Sequence, residues 1–183
     1  LKGVSLTDDD RYALSLLNTI IGGNMSSRLF QVIRERRGLA YSVYSFISSY
    51  TDTGMLGAYA AVDPANAVET ADLILRELRR IKEEAVSPAE LRDAIEYSKG
   101  CLLLASESAD NQMFRQAQNE ICYGRPVDLD EVISNMESVT REDMLGIAGK
   151  LFGSGSTGIT ILGPVSGEKE FSGILVIQIG RQP

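Results

Sequence analysis

The run Gly22-Gly23-Asn24-Met25-Ser26-Ser27-Arg28-Leu29-Phe30-Gln31-Val32-Ile33-Arg34-Glu35-Arg36-Arg37-Gly38-Leu39-Ala40-Tyr41-Ser42 decides how the rest of the chain is read. The paired glycines stop a preceding helix. Asn24-Met25-Ser26 then opens a short basic helix that carries Leu29, Val32 and Ile33 inward and ends before Gly38. From Leu39 the apolar period changes to two, the mark of a strand running to Tyr50. Its alternation predicts Tyr41, Val43, Ser45 and Ile47 on one face and Tyr44, Phe46 and Tyr50 on the other. Thr51-Asp52-Thr53-Gly54 is a turn and Met55 to Val62 the returning strand, so the two strands form a hairpin.

Upstream, Asp8 to Asp10 cap and charge a helix running to about Ile21, with Leu14, Leu17 and Ile21 on one face. Leu1-Lys2-Gly3-Val4 reads as the last residues of a strand. Downstream, Asp63-Pro64 starts a long helix whose inner face is Ala67, Ala71, Ile74, Leu78 and Ile81. Ser87-Pro88-Ala89-Glu90 is a capping box opening a further helix toward Leu104, with Gly100 as its weak point. Helices are also expected from Asp110 to Tyr123, from Leu129 to Met136 and after the Thr140-Arg141-Glu142-Asp143 box. Gly153-Ser154-Gly155-Ser156 ends the last of them, and Thr157 to Leu162 is read as a final strand. Strands and helices are thus segregated, which predicts an α+β domain with a largely antiparallel sheet covered on one face by helices. The domain is expected to span residues 1–165, and residues 166–183 to form a tail, either an extra strand or a disordered extension.

With 183 residues, 44% of them apolar, the chain suits a single core. A net charge of −7 argues against nucleic-acid binding, which needs clustered Lys and Arg against phosphates. Arg76, Arg79, Arg80 and Lys82 alternate with Glu77, Glu83 and Glu84 and read as a solvated helix face. No apolar run approaches the ~20 residues that span a bilayer, so no membrane partner is expected. The chain begins at Leu1 with no signal-like segment. Cys101 and Cys122 have no metal-ligand spacing and read as buried free thiols; the absence of a disulfide pattern favours a cytoplasmic location.

The chain contains no histidine. That removes His-based zinc motifs and Ser-His-Asp or Cys-His nucleophile systems, leaving carboxylates for any acid-base work. The carboxylate groups at Asp8 to Asp10, Asp128 to Glu131 and Glu142-Asp143 all lie at helix starts, where negative charge favours the macrodipole. The glycine-rich stretch Gly153 to Gly158 lacks a following Gly-Lys-Ser/Thr and reads as a loop, not a phosphate cradle.

The Gly22 to Ser42 text resembles the pitrilysin or insulinase family of metallopeptidases (peptidase family M16), whose domains carry a Gly-Gly-x-x-Ser-Ser-Arg-Leu-Phe…Arg-Glu…Gly-Leu-Ala-Tyr run at this place. The likeness extends through the hairpin, the Asp63-Pro64 and Ser87-Pro88-Ala89-Glu90-Leu91 helix starts, and Val139 to Asp143. Members pair two similar domains, one with an inverted zinc motif (His-x-x-Glu-His plus a distant Glu) and one without it. The resemblance implies that this chain is the second, C-terminal kind, inactive alone, with no metal or cofactor site of its own and with zinc held by the other half.

The resemblance further implies a peptide substrate enclosed between the halves, which share one polypeptide or associate as separate subunits of a homo- or heterodimer. Arg34 and Tyr41, seven residues apart, occupy the positions that reach the zinc site of the first half. There, fixed donors stabilise the negative charge that builds on a carbonyl oxygen under attack. Without that role Arg34 interacts with Glu35 or another surface carboxylate, and Tyr41 is strand packing. Arg28 is expected to be structural, bonding backbone or carboxylates near the glycine turn, and Arg36 and Arg37 to be surface charge. The alternative within the family is a non-catalytic structural or partner subunit, like the core subunits of respiratory complexes. A His-x-x-Glu-His domain upstream in frame distinguishes the enzyme.

Overall fold

The computed structural model describes residues 1–153, 157–164 and 171. Three strands, β1 (Lys2–Gly3), β2 (Ala40–Ser49) and β3 (Gly54–Val62), form an antiparallel sheet in the order β1-β3-β2. The β2–β3 hairpin runs in register from Ser49 opposite Gly54 to Ser42 opposite Ala61. Six α-helices follow the local signals: α1 (Arg11–Asn18), α2 (Ala67–Glu83), α3 (Pro88–Ser106), α4 (Ala109–Tyr123), α5 (Leu129–Glu137) and α6 (Arg141–Gly153). The expected α+β architecture is therefore present.

The caps explain where the helices begin. Asp63 accepts a hydrogen bond from Ala65 N at 2.9 Å, ahead of a 3-10 turn at Pro64–Asn66 that leads into α2. Ser87 and Glu90 form a complete capping box at the start of α3. At α6 the Thr140 hydroxyl accepts from Asp143 N at 3.2 Å while the Asp143 carboxylate accepts from Thr140 N at 2.9 Å. Gly124, left-handed at φ 64°, closes α4.

The core lies between one sheet face and the helices. Leu14, Leu16, Leu17 and Ile21 from α1 and the turn after it, Leu29 and Ile33, Val43 and Leu56, Leu78 and Ile81, and Met144 and Ile147 of α6 are buried together. Helix α6 packs on α1 and α2, and α3 packs on α1 and carries α4. The other sheet face bears an exposed aromatic row: Tyr59 lies opposite Tyr44 with ring centroids 5.0 Å apart, and Phe46 is 6.2 Å from Tyr44.

Three expectations are corrected. Residues Thr157 to Leu162 form no strand: nothing in β1–β3 pairs with them, and alternation without an edge to bond does not make a strand. Cys101 is exposed and Cys122 half-buried, both free; Cys101 stands seven positions after buried Ala94 on nearly the same side of α3, in the later part of the helix, where Cys101 and residues 103–105 are exposed. Tyr41 does not share a face with Val43 and Ser45. A bulge between Ala40 and Ser42 breaks the alternation, burying Ala40, Val43 and Ser45 while leaving Tyr41 out. Apart from Phe171, which is buried, the expected tail 166–183 lies outside the described residues. No helix among the described residues is long and apolar enough to cross a membrane.

Candidate functional site

After Asn18 the winding of α1 loosens into a π-helical turn at Thr19–Gly23, and a second π-helical segment runs from Phe30 to Glu35. Such segments are uncommon and frequent at functional sites. Between them the Asn24 side chain accepts from Ser26 N at 2.8 Å, and Gln31 Nε2 donates to Met25 O at 2.8 Å, fixing the connection. Strand β2 lies directly against the first turn: Ser45 Oγ donates to Asn18 O at 3.1 Å. Leu29 and Ile33, both fully buried, anchor the second segment.

The link from that segment into β2 is closed by Gly38, left-handed at φ 62°. Gly38 N donates to Arg34 O at 3.0 Å, nested inside a bond from Leu39 N to Ile33 O, also 3.0 Å. The nesting is that of a Schellman motif, each bond wider than usual, as π winding demands. Backbone at both ends of the Arg34–Tyr41 interval is thus fixed, by this pair of bonds on one side and by buried Ala40 and Val43 on the other.

The side chains on that frame divide into paired and unpaired groups. Arg28 grips Glu90 with two hydrogen bonds of 2.8 and 3.1 Å, tying the segment to the N-terminus of α3. Arg37 pairs with Glu69 of α2 at 2.6 Å. Arg34 makes no ion pair or side-chain hydrogen bond among the described residues; its guanidinium lies 5.0 Å from the centre of the Phe30 ring. The alternative, a pair with Glu35 or another surface carboxylate, is not formed among the described residues. Tyr41 is 86% exposed, and its hydroxyl has no partner among the described residues. Strand packing therefore does not account for Tyr41. The frame offers a permanent cation with a planar fork of donors, and one phenolic donor, both facing solvent.

The chain has no histidine, and no group of three Cys, Asp or Glu residues close enough to hold an ion occurs among the described residues. The residues present do not fit a zinc centre.

Glu90 is the strongly perturbed acid near the segment. Burial alone would raise its carboxyl, but hydrogen bonds from Arg28 and from the Ser87 backbone and hydroxyl outweigh that and hold it at about 2. A depressed folded value stabilises the protein above the unfolded pKa of about 4.3 and is lost as pH falls from there toward 2. Since the side chain is a little over a third exposed, screening reduces the contribution to about 1–2 kcal/mol. Urea unfolding followed from pH 7 to pH 3 should show this loss in the wild type and not in Glu90→Gln, which starts lower. Parallel curves would rule the linkage out.

The family model for the peptidase M16 inactive domain matches residues 1–97. An uncharacterized zinc protease of Bacillus subtilis, YmxG, is 40% identical over 151 residues, 82% of this chain and 37% of that protein. Another uncharacterized zinc protease, of Streptomyces coelicolor, is 34% identical over 165 residues, 90% of this chain and 36% of that one. The chain thus spans little more than a third of these relatives. Among solved structures, a peptidase M16 inactive domain from Pseudomonas fluorescens superposes with a TM-score of 0.71 at 25% identity, covering 81% of this chain and 35% of that one. A Complex III assembly of Candida albicans superposes with a TM-score of 0.73 at 19% identity over 82% of this chain and 38% of that one, a likeness of fold alone. On its sequence and its fold, the chain belongs to the peptidase M16 inactive-domain family.

Proposed function

We propose that residues 1–165 are the substrate-holding half of a zinc metalloendopeptidase, completed by a zinc-bearing half on the same polypeptide or in a partner subunit. The observation that carries this reading is that Arg34 and Tyr41, two strong donors fixed on one backbone frame, have no ionic or side-chain hydrogen-bond partner among the described residues. A substrate carbonyl that gains negative charge during hydrolysis is the natural acceptor for both. Arg34 supplies the cation and the fork, Tyr41 a hydroxyl donor, and either also holds the extended backbone of a peptide. Neither residue provides a base or a nucleophile; of the carboxylates nearby, Glu90 is engaged with Arg28 and Glu69 with Arg37, and the exposed Glu35 has no histidine or metal-holding group beside it among the described residues. Bond cleavage therefore belongs to the other half.

Two preparations test this. The full-length protein should cleave unstructured peptides and lose that activity to a chelator. The 183-residue chain alone, supplied with zinc, should cleave none. Chelator-sensitive cleavage by the pure chain would overturn the assignment. The reading of a non-catalytic structural subunit, which shares the fold, gives no account of why Arg34 and Tyr41 are left unpaired.

A further inference from the structure

We infer that the outward rows of α3 and α4 form the face on which the remainder of the same polypeptide seats. This rests on that part of the proposed function which places the chain within a longer two-part protein.

Helices α3 and α4 are 19 and 15 residues long, yet they bury only Leu91, Ala94 and Asn119. Helices gain most of their stability from packing an apolar face. Here each turns such a face outward. On α3, Leu91, Ala94 and Ile95 face the body, and Tyr97, Cys101 and Leu104 continue the stripe of Ala94 at spacings of three, four and three into exposed positions. On α4, Asn119 and Cys122 face inward and Phe114, Ala117 and Ile121 outward. Leu104 is 72% exposed, Phe114 67% and Ile121 81%. Single exposed apolar residues need no explanation, but two rows at helical spacing on adjacent helices mark an interaction surface.

The length of the relatives indicates the occupant. The matches cover 37% and 36% of the Bacillus and Streptomyces proteins, so most of each lies outside the matched region and on the same chain. That remainder is tethered to this domain at high effective concentration, which favours it over a second copy as the cover.

Cys101, in the middle of the α3 row, is a built-in reporter. In the full-length protein, maleimide labelling read by mass spectrometry of the peptide containing Cys101 should be at least ~100-fold slower in the native state than in urea. The protection should not change on dilution, nor on removal of residues 172–183. A Phe114→Arg/Ile121→Arg variant with an unchanged circular dichroism spectrum should regain rapid labelling. Rapid labelling of the native wild type overturns the inference. Protection lost on dilution assigns the face to a second copy, and protection lost with residues 172–183 assigns it to the tail; either result overturns it too. Arg34 and Tyr41 variants should label as the wild type does, so failure of the catalytic reading leaves this result unchanged.

Discussion

A Gly22→Ala variant is expected to lose about 3 kcal/mol of stability and to accumulate as unfolded or aggregated chain, because the added methyl group has nowhere to go. A Cβ at this position would lie 2.3 Å from Ser45 N, 2.7 Å from Ser45 Oγ and 2.9 Å from Tyr44 C. Two of those three atoms are backbone in the middle of β2, where Tyr44 lies opposite Tyr59 and Ser45 opposite Ala58. Relief would require lifting β2 off the turn that precedes the Arg34 segment, at the cost of the Ser45–Asn18 bond and the packing of Val43. Ser45→Ala in the same chain should give no rescue, since the 2.3 Å backbone contact stays. Gly38→Ala is the proper contrast. There a Cβ meets nothing within 4 Å and the penalty is only the left-handed backbone, about 1–2 kcal/mol. Urea unfolding of the three variants checks the order; a Gly22→Ala midpoint close to that of the wild type would show that the approach of β2 to the turn is looser than this.

The features legible in the sequence are those written within a few residues. The capping boxes at Ser87 and Thr140, the Asp63-Pro64 helix start and the hairpin turn at Thr51 to Gly54 each bond within three or four positions, so the local text contains both partners. What escaped depends on partners elsewhere. The bulge that frees Tyr41 exists only relative to Ala61 and Val62 on β3, and the alternation of β2 alone places Tyr41 with Val43. The π winding around Thr19–Gly23 and Phe30–Glu35 leaves the apolar spacing close to that of an ordinary helix. Arg28 was legible as structural, but its partner is 62 positions away, and the capping box that marks Glu90 gives no sign of a second client. Cys101 reads as buried because it stands on the apolar stripe of Ala94, and the local text does not say how far along α3 that stripe stays covered.

In the full-length protein, Arg34→Ala and Tyr41→Phe are each expected to lower turnover of an unstructured peptide pool by ~10–1000-fold, the range for removing one donor to a developing oxyanion. Stability should change little. Arg34 gives up only an exposed contact with the Phe30 ring, worth about 0.5–1 kcal/mol, and Tyr41→Phe removes a hydroxyl with no partner among the described residues. That separation gives the experiment its force, since a residue kept for folding would move the unfolding midpoint, whereas these should move the kinetics and leave the midpoint in place. Arg34→Lys should recover part of the loss, because the charge returns without the planar fork. If both groups serve the same oxygen, the double variant should fall short of the product of the single effects, since the remaining donor cannot be lost twice. Wild-type turnover in both single variants would remove Arg34 and Tyr41 from the chemistry and leave both as solvated surface donors.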